Sequence, residues 1–147
     1  MFFNPDKQAL KILEDLGFPK NKGWWSKYPK RALEEMSKMS QGTNALAHAV
    51  GSKMVWKESI ITDFGSYYNL SIETEGYPHK APRVFVTNKS VPKGHTTHVN
   101  PDGSLCLQHP STYSSGTSVL QIRNRACAWC FAYDAYLATG KWQAAQY

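Results

Sequence analysis

The sequence predicts an α+β fold in which N-terminal helices precede an antiparallel β-meander, a long loop and a final helix. Three patterns predict it. Two amphipathic stretches of helical period lie before residue 43, short β-favouring runs lie between residues 54 and 87, and a capped apolar helix lies near the end. The 147 residues fit one compact domain, 1–147, whose helical part covers about residues 1–50.

Two helices are expected in the first third of the chain. Residues 5–16 and residues 29–41 each begin at a proline, which suits a first helical turn, and each is followed by a glycine, Gly17 or Gly42. Residues 44–50 are expected to add a further helical turn.

Tryptophans and methionines accompany these helices. Trp24 and Trp25 stand in a polar-flanked turn, where core packing and a partner surface are both open interpretations. Met36 and Met39 lie on the apolar side of the second helix, and core packing is the favoured interpretation for them.

Three short strands follow. Residues 54–61 form an apolar, β-favouring run, residues 66–74 alternate in period two, and residues 83–87 form a third run after Pro82. One face of the middle strand carries Tyr68, Leu70, Ile72 and Thr74. Tight connections between these strands predict an antiparallel meander.

The last third combines a long loop with a well-marked helix. Prolines and glycines interrupt residues 89–117, and loops of this length in compact domains are usually functional. Ser118 and Gln121 form a capping box, and the helix they open ends at Gly140. Its apolar face carries Val119, Ile122, Ala126, Trp129, Tyr133 and Leu137.

Composition limits the class of protein. Three cysteines, an odd number, argue against a disulfide framework and for a reducing compartment, so a cytoplasmic protein is expected. No run reaches the roughly 18 apolar residues of a membrane span, and no secretory signal is recognised. The net charge of +6 suits a solvated basic surface or an acidic partner. No nucleic-acid-binding motif accompanies it, so nucleic-acid binding is not expected.

The segment from His95 to Pro110 concentrates chemically useful side chains, including His98, Asn100, Cys106 and His109. Turn chemistry explains the residues between Asn100 and Ser104 by itself, but it does not require the cysteine. A loop cysteine reaches the extended tail of another protein, which a core cysteine does not. Its thiolate is the nucleophilic form.

Four linked motifs stand in order along the chain: Tyr68-x-Leu70-x-Ile72, Tyr77-Pro78-x-x-x-Pro82-x-Val84-x-Val86, His98-x-Asn100 and Gly103-Ser104-Leu105-Cys106-Leu107. Together they resemble the core of ubiquitin-conjugating enzymes, the UBC-like fold, over residues 54–138. Val99 replaces the family's middle proline, and no Trp-x-Pro follows the cysteine. These departures resemble a stand-alone bacterial branch, closest to the ubiquitin-conjugating-like protein of type II CBASS antiphage operons.

The resemblance implies a function and a set of site residues. Cys106 would hold the C-terminus of a protein, by resemblance a cyclic-oligonucleotide synthase, as a thioester and transfer it to a lysine of an acceptor protein. No cofactor and no metal is implied. The chain has no nucleotide-binding fingerprint, so a separate activating enzyme is a possible further partner.

The resemblance assigns roles to Asn100 and His98, and the need to remove a proton from the incoming amine selects two further candidates, His109 and Asp102. Asn100 would stabilise the charge on the carbonyl oxygen during transfer. His109 and Asp102 are candidates to accept the proton of the incoming amine. The alternatives are a turn-capping role for Asp102 and a solvent-facing position for His109. His98 would order the loop.

Three rival interpretations remain open. His95-x-x-His98 and Cys106-x-x-His109 have zinc-ligand spacing, which would make Cys106 a structural ligand. Cys127-Ala-Trp-Cys130 resembles a redox pair, but it lies inside the last helix, so packing is favoured. The third is an inactive, binding-only UBC-like adaptor, but those variants lack the cysteine that is present here.

Overall fold

The computed structural model describes residues 5–142, and it has the predicted α+β architecture. Its helices and strands in chain order are α1 (Pro5–Asp15), α2 (Pro29–Gly42), β1 (Ala47–Val50), β2 (Lys53–Ile61), β3 (Tyr67–Thr74), β4 (Arg83–Val86) and α3 (Val119–Thr139). The four strands form one antiparallel sheet in the order β1-β2-β3-β4. The two ends of the predicted 1–147 domain, residues 1–4 and 143–147, lie outside the described residues.

Strand β1 corrects the sequence analysis, because the helical turn predicted for residues 44–50 is wrong. Ala47–Val50 instead pairs with β2 as one arm of a hairpin whose two-residue turn is Gly51-Ser52. Gly51 has φ +60, and a glycine in that conformation at the first position of a two-residue turn matches the twist of paired strands. The turn therefore overrides the helical tendency of the alanines.

The core lies between the sheet and α3. The four residues predicted on one face of β3 are all buried, which confirms the alternation. Tyr68 meets the rings of Trp129 and Tyr133 edge-on, with centroid distances of 6.1 and 6.4 Å. Its hydroxyl donates to the buried carboxylate of Asp134, which also accepts from the hydroxyl of Thr62.

Helix α3 begins and ends as predicted. Ser118 and Gln121 cap its first turn reciprocally, and Gly140 ends it with φ +75. The predicted apolar face is buried from Val119 to Tyr133, but Leu137 is 64% exposed because it lies past the packed part of the helix. No helix within residues 5–142 is long and apolar enough to cross a membrane.

Both tryptophans of the N-terminal turn belong to the core. Trp25 is fully buried and donates its indole N–H to the carbonyl oxygen of Pro19 at 2.9 Å. Trp24 is 6% exposed and donates to Thr74 Oγ1 at 3.0 Å. Met39 is buried, and Met36 packs half-buried against the same core.

A buried carboxylate joins α2 to the beginning of α3. Glu35 is 0% exposed, and its Oε1 accepts from the backbone N–H of Val119 at 2.7 Å. Its Oε2 accepts from Arg31 Nε at 3.0 Å. Arg31 also donates to the hydroxyl of Tyr77 at 2.7 Å, and this hydroxyl donates to the carbonyl oxygen of Thr117 at 2.6 Å. The end of the long loop is therefore fixed to α2.

Candidate active site

Backbone hydrogen bonds hold the long loop against the sheet. Leu105 N donates to the carbonyl oxygen of Val84 in β4 at 2.8 Å. Val99 bridges to Leu105 on one side and to Gly94 on the other, where the two residues exchange hydrogen bonds of 2.9 and 3.1 Å. Cys106 N donates to the carbonyl oxygen of His98 at 2.8 Å. Three short segments thus continue the sheet beyond β4 and position the cysteine.

A tight turn precedes Cys106. Gly103 N donates to the carbonyl oxygen of Asn100 at 2.9 Å, and Gly103 has φ +90. Asp102 Oδ1 accepts from the backbone N–H and the hydroxyl of Ser104 at 2.8 and 2.6 Å. Its Oδ2 lies 3.5 Å from Arg83 Nη1. The hydrogen bonds from Ser104, assisted by Arg83, lower the pKa of Asp102, so this side chain is a carboxylate that caps the turn.

Cys106 borders two clefts. The first has a volume of about 620 Å³ and is lined in part by Arg83, Asp102 and Tyr113. The second has a volume of about 650 Å³ and is lined in part by Lys93 and by the four residues His95, His98, Asn100 and His109. Cys106 is half-buried and lies where the two clefts meet.

The other two cysteines are in a different environment, inside α3. Burial raises the pKa of Cys127, and it raises the pKa of Cys130 to about 12. Both are therefore protonated thiols at neutral pH. Their position confirms the packing interpretation over the redox-pair interpretation, which needs a helix N-terminus.

The amide of Asn100 lies beside the cysteine and borders both clefts. Its Nδ2 donates to Ser104 Oγ at 3.1 Å and approaches the carbonyl oxygen of Leu105 at 3.5 Å. The first is an ordinary hydrogen bond, and the second lies at the long limit of hydrogen-bond geometry. The amide is held near Cys106, and its contact with Leu105 is weak enough to exchange for a stronger acceptor.

His98 supports the loop through its backbone and its ring. Its φ of +54 is the left-handed conformation, which non-glycine residues rarely adopt and which often occurs at functional sites. The ring stacks on Trp142 at a centroid distance of 4.5 Å. Burial, assisted by the charge of His95, lowers the pKa of His98, so its imidazole is neutral at neutral pH.

His109 is exposed and caps a short 3-10 turn, Pro110–Thr112. Its Nδ1 accepts from the backbone N–H of Ser111 at 3.1 Å. A neutral imidazole that accepts at Nδ1 carries its proton on Nε2, so Nε2 of His109 is a hydrogen-bond donor. The geometry therefore favours hydrogen-bond donation over proton acceptance for this residue.

The zinc interpretation requires His95, His98, Cys106 and His109 to converge. All four line the second cleft. Within residues 5–142, however, no three His, Cys, Asp or Glu side chains are arranged so that they could hold a metal ion. The arrangement does not favour a four-ligand site.

Sequence reasoning missed several residues that shape this site. Tyr113 donates its hydroxyl to the carbonyl oxygen of Pro78 at 2.6 Å, and burial raises its pKa to about 12, so it stays a donor. Arg83 in β4 contacts Asp102, and Glu35 in α2 holds the end of the loop through the backbone of Val119. No local pattern marks such contacts, because each joins residues far apart in sequence.

A family model described as the type II CBASS E2 protein matches residues 32–147. The match includes the sheet, both clefts and α3. No curated protein and no solved structure matches the chain.

Proposed function

Because the chain belongs to the type II CBASS E2 family, we propose that it is a ubiquitin-conjugating-like transferase with Cys106 as its acyl carrier. The C-terminus of a partner protein would be held on the sulfur as a thioester and then passed to a lysine amine. The observation that carries this proposal is the position of Cys106 between two clefts, whereas the other cysteines lie within α3.

Two clefts suit a reaction with two macromolecular substrates. The arriving acyl group forms a bond to Sγ, and its activating group leaves. The lysine amine then attacks the same carbonyl carbon, the C–N bond forms, and the C–S bond breaks to return the thiolate. An extended tail on one side of Cys106 leaves the other side open for the amine.

Asn100 is proposed to stabilise the negative charge that develops on the carbonyl oxygen. Its amide exchanges its long contact with the carbonyl oxygen of Leu105 for a hydrogen bond to the oxyanion, while the hydrogen bond to Ser104 holds it in place. Removal of one such donor typically slows the reaction about 100- to 1,000-fold. Asn100→Ala is expected to slow transfer to lysine by that factor while Cys106 still forms its thioester.

The flanking residues take complementary roles. Asp102 is a carboxylate on the first cleft and is a candidate to attract the ammonium group of the acceptor and take its proton, for which Oδ2 exchanges its contact with Arg83 at 3.5 Å. His109 presents an N–H to the second cleft and assists charge stabilisation rather than proton removal. His98 keeps Cys106 in place through its backbone carbonyl.

The family match supports a proposal for the partners. The conjugated protein is proposed to be a CBASS cyclic-oligonucleotide synthase, joined through its C-terminus to lysines of an acceptor in the cytoplasm. A separate enzyme is proposed to activate that C-terminus. No cofactor or metal takes part in the proposed steps.

The test is intact-mass analysis of the chain co-expressed with the products of neighbouring genes. Cys106→Ser is expected to accumulate a stable oxyester whose added mass identifies the conjugated protein. Cys127→Ser, a matched change of a half-buried cysteine, is expected to conjugate like the unmodified chain. Conjugates that persist in Cys106→Ala would refute the proposal.

A further inference from the structure

The second cleft is lined by a lysine, Lys93. Among the described residues that line the two clefts bordered by Cys106, Lys93 is the one lysine. A cleft of about 650 Å³ would be about 11 Å across if it were a sphere. The amine of Lys93 is on a flexible four-carbon stem, so it can reach far into a space of this size.

The backbone fixes the distance between the two residues. Gly94, the neighbour of Lys93, bridges to Val99, and Val99 bridges to Leu105, the neighbour of Cys106. Adjacent strands are about 4.8 Å apart, so these two steps separate the backbones of Gly94 and Leu105 by about 10 Å. Both bridges are antiparallel, so the segments of Gly94 and Leu105 run in the same direction. Lys93 precedes Gly94 and Cys106 follows Leu105, which offsets the two residues along the strands and brings their Cα separation to about 12 Å. An extended lysine side chain plus the thioester on Cys106 spans about this distance.

The surroundings leave the amine available. Lys93 is exposed and forms no ion pair or hydrogen bond with any residue between 5 and 142. The described lining of the second cleft includes no carboxylate that would hold the ammonium group away from the sulfur. The exposed imidazole of His95 lies on the same wall and can accept the proton that the amine must lose.

We propose that Lys93 is an automodification site, which takes the acyl group from Cys106 of the same chain when no acceptor protein is bound. This inference rests on the proposed function, because it requires the thioester. The amine attacks the thioester carbonyl, a C–N bond forms, the C–S bond breaks, Cys106 regains its thiolate, and the ammonium proton passes to His95 or water. The amide then occupies the second cleft and limits further turnover.

The reaction within one chain is favoured over a reaction between chains. A reacting group held on the same molecule has an effective concentration on the order of 1 mM. With protein at about 10 µM, the lysine of the same chain is therefore favoured about 100-fold.

The test uses the purified full chain and a short peptide thioester that ends in glycine and carries mercaptoethanesulfonate as its leaving thiol. Exchange with Cys106 releases mercaptoethanesulfonate and gives a peptide adduct that dithiothreitol removes. Transfer converts this adduct into one that resists dithiothreitol, and peptide mapping locates it. We expect a dithiothreitol-resistant adduct on Lys93, and we expect it to be lost in Lys93→Arg and in Cys106→Ala.

Lys89→Arg is the matched control, because Lys89 is on the same loop but lies over the ring of Tyr68 at 4.3 Å and lines neither cleft. It is expected to leave the resistant adduct unchanged, and the rate is expected to be independent of protein concentration. A removable adduct that never becomes resistant at Lys93 would overturn this inference alone. A resistant adduct on Lys93 in Cys106→Ala would also overturn it, and the absence of any removable adduct would overturn both proposals.

Discussion

Glu35 provides the strongest test of how the loop is held, because its buried carboxylate binds the first backbone N–H of α3 and Arg31 on its own helix. Glu35→Ala leaves the N–H of Val119 without an acceptor, at a cost of about 1–3 kcal/mol. Arg31, whose side chain is 23% exposed, loses its ion pair at a cost discounted to about 1 kcal/mol. One lost methylene adds about 0.8 kcal/mol. The free energy of unfolding should therefore fall by about 4 kcal/mol.

The assay is urea and thermal unfolding followed by circular dichroism. For a chain of this size, 4 kcal/mol corresponds to a fall in Tm of about 12 °C. Glu35→Gln keeps an acceptor for Val119 but faces Arg31 without charge, so its loss should be about half as large. Glu34→Ala, an exposed neighbour on α2, is the control and should change stability by less than about 0.5 kcal/mol. A loss below about 1 kcal/mol in Glu35→Ala, or an equal loss in Glu34→Ala, would refute the reasoning.

Three further outcomes are expected. Tyr68→Phe removes a hydroxyl that donates to the buried carboxylate of Asp134, so the free energy of unfolding measured by chemical denaturation should fall by about 2 kcal/mol. Tyr67→Phe, at an exposed position, should change it almost not at all. Iodoacetamide at neutral pH should alkylate Cys106 first, as read by mass spectrometry, because burial raises the pKa of both α3 cysteines; equal labelling would contradict this. Gly51→Ala should cost about 1 kcal/mol in thermal unfolding, because φ +60 disfavours any side chain; an unchanged Tm would contradict the hairpin geometry.

The elements with strong local patterns were predictable from the sequence. Period-two alternation in β3 identified its buried face, and the Ser118–Gln121 capping box identified the start of α3. Strand β1 was not predictable, because its four residues show no β pattern and become a strand only by pairing with β2. A strand of this length has too little sequence to reveal its partner.

The candidate site was predictable to a similar degree. Motif resemblance selected Cys106 and Asn100, and the structure places them side by side on the same two clefts. The roles of Asp102 and His109 depend on which of their atoms already accept hydrogen bonds, and this depends on side-chain geometry. Lys93 joins the site through two backbone bridges, which no local sequence pattern shows.

Because His98 stacks on Trp142, the fluorescence of this tryptophan reports on the surroundings of His98. A protonated imidazole quenches a neighbouring indole, and its displacement changes the polarity that the indole experiences. Acidification, or any rearrangement of the backbone that connects His98 to Cys106, therefore alters the emission of Trp142. Subtracting the spectrum of Trp142→Phe isolates that signal from the other four tryptophans, so the proposed acyl loading can be followed by fluorescence without attaching a dye.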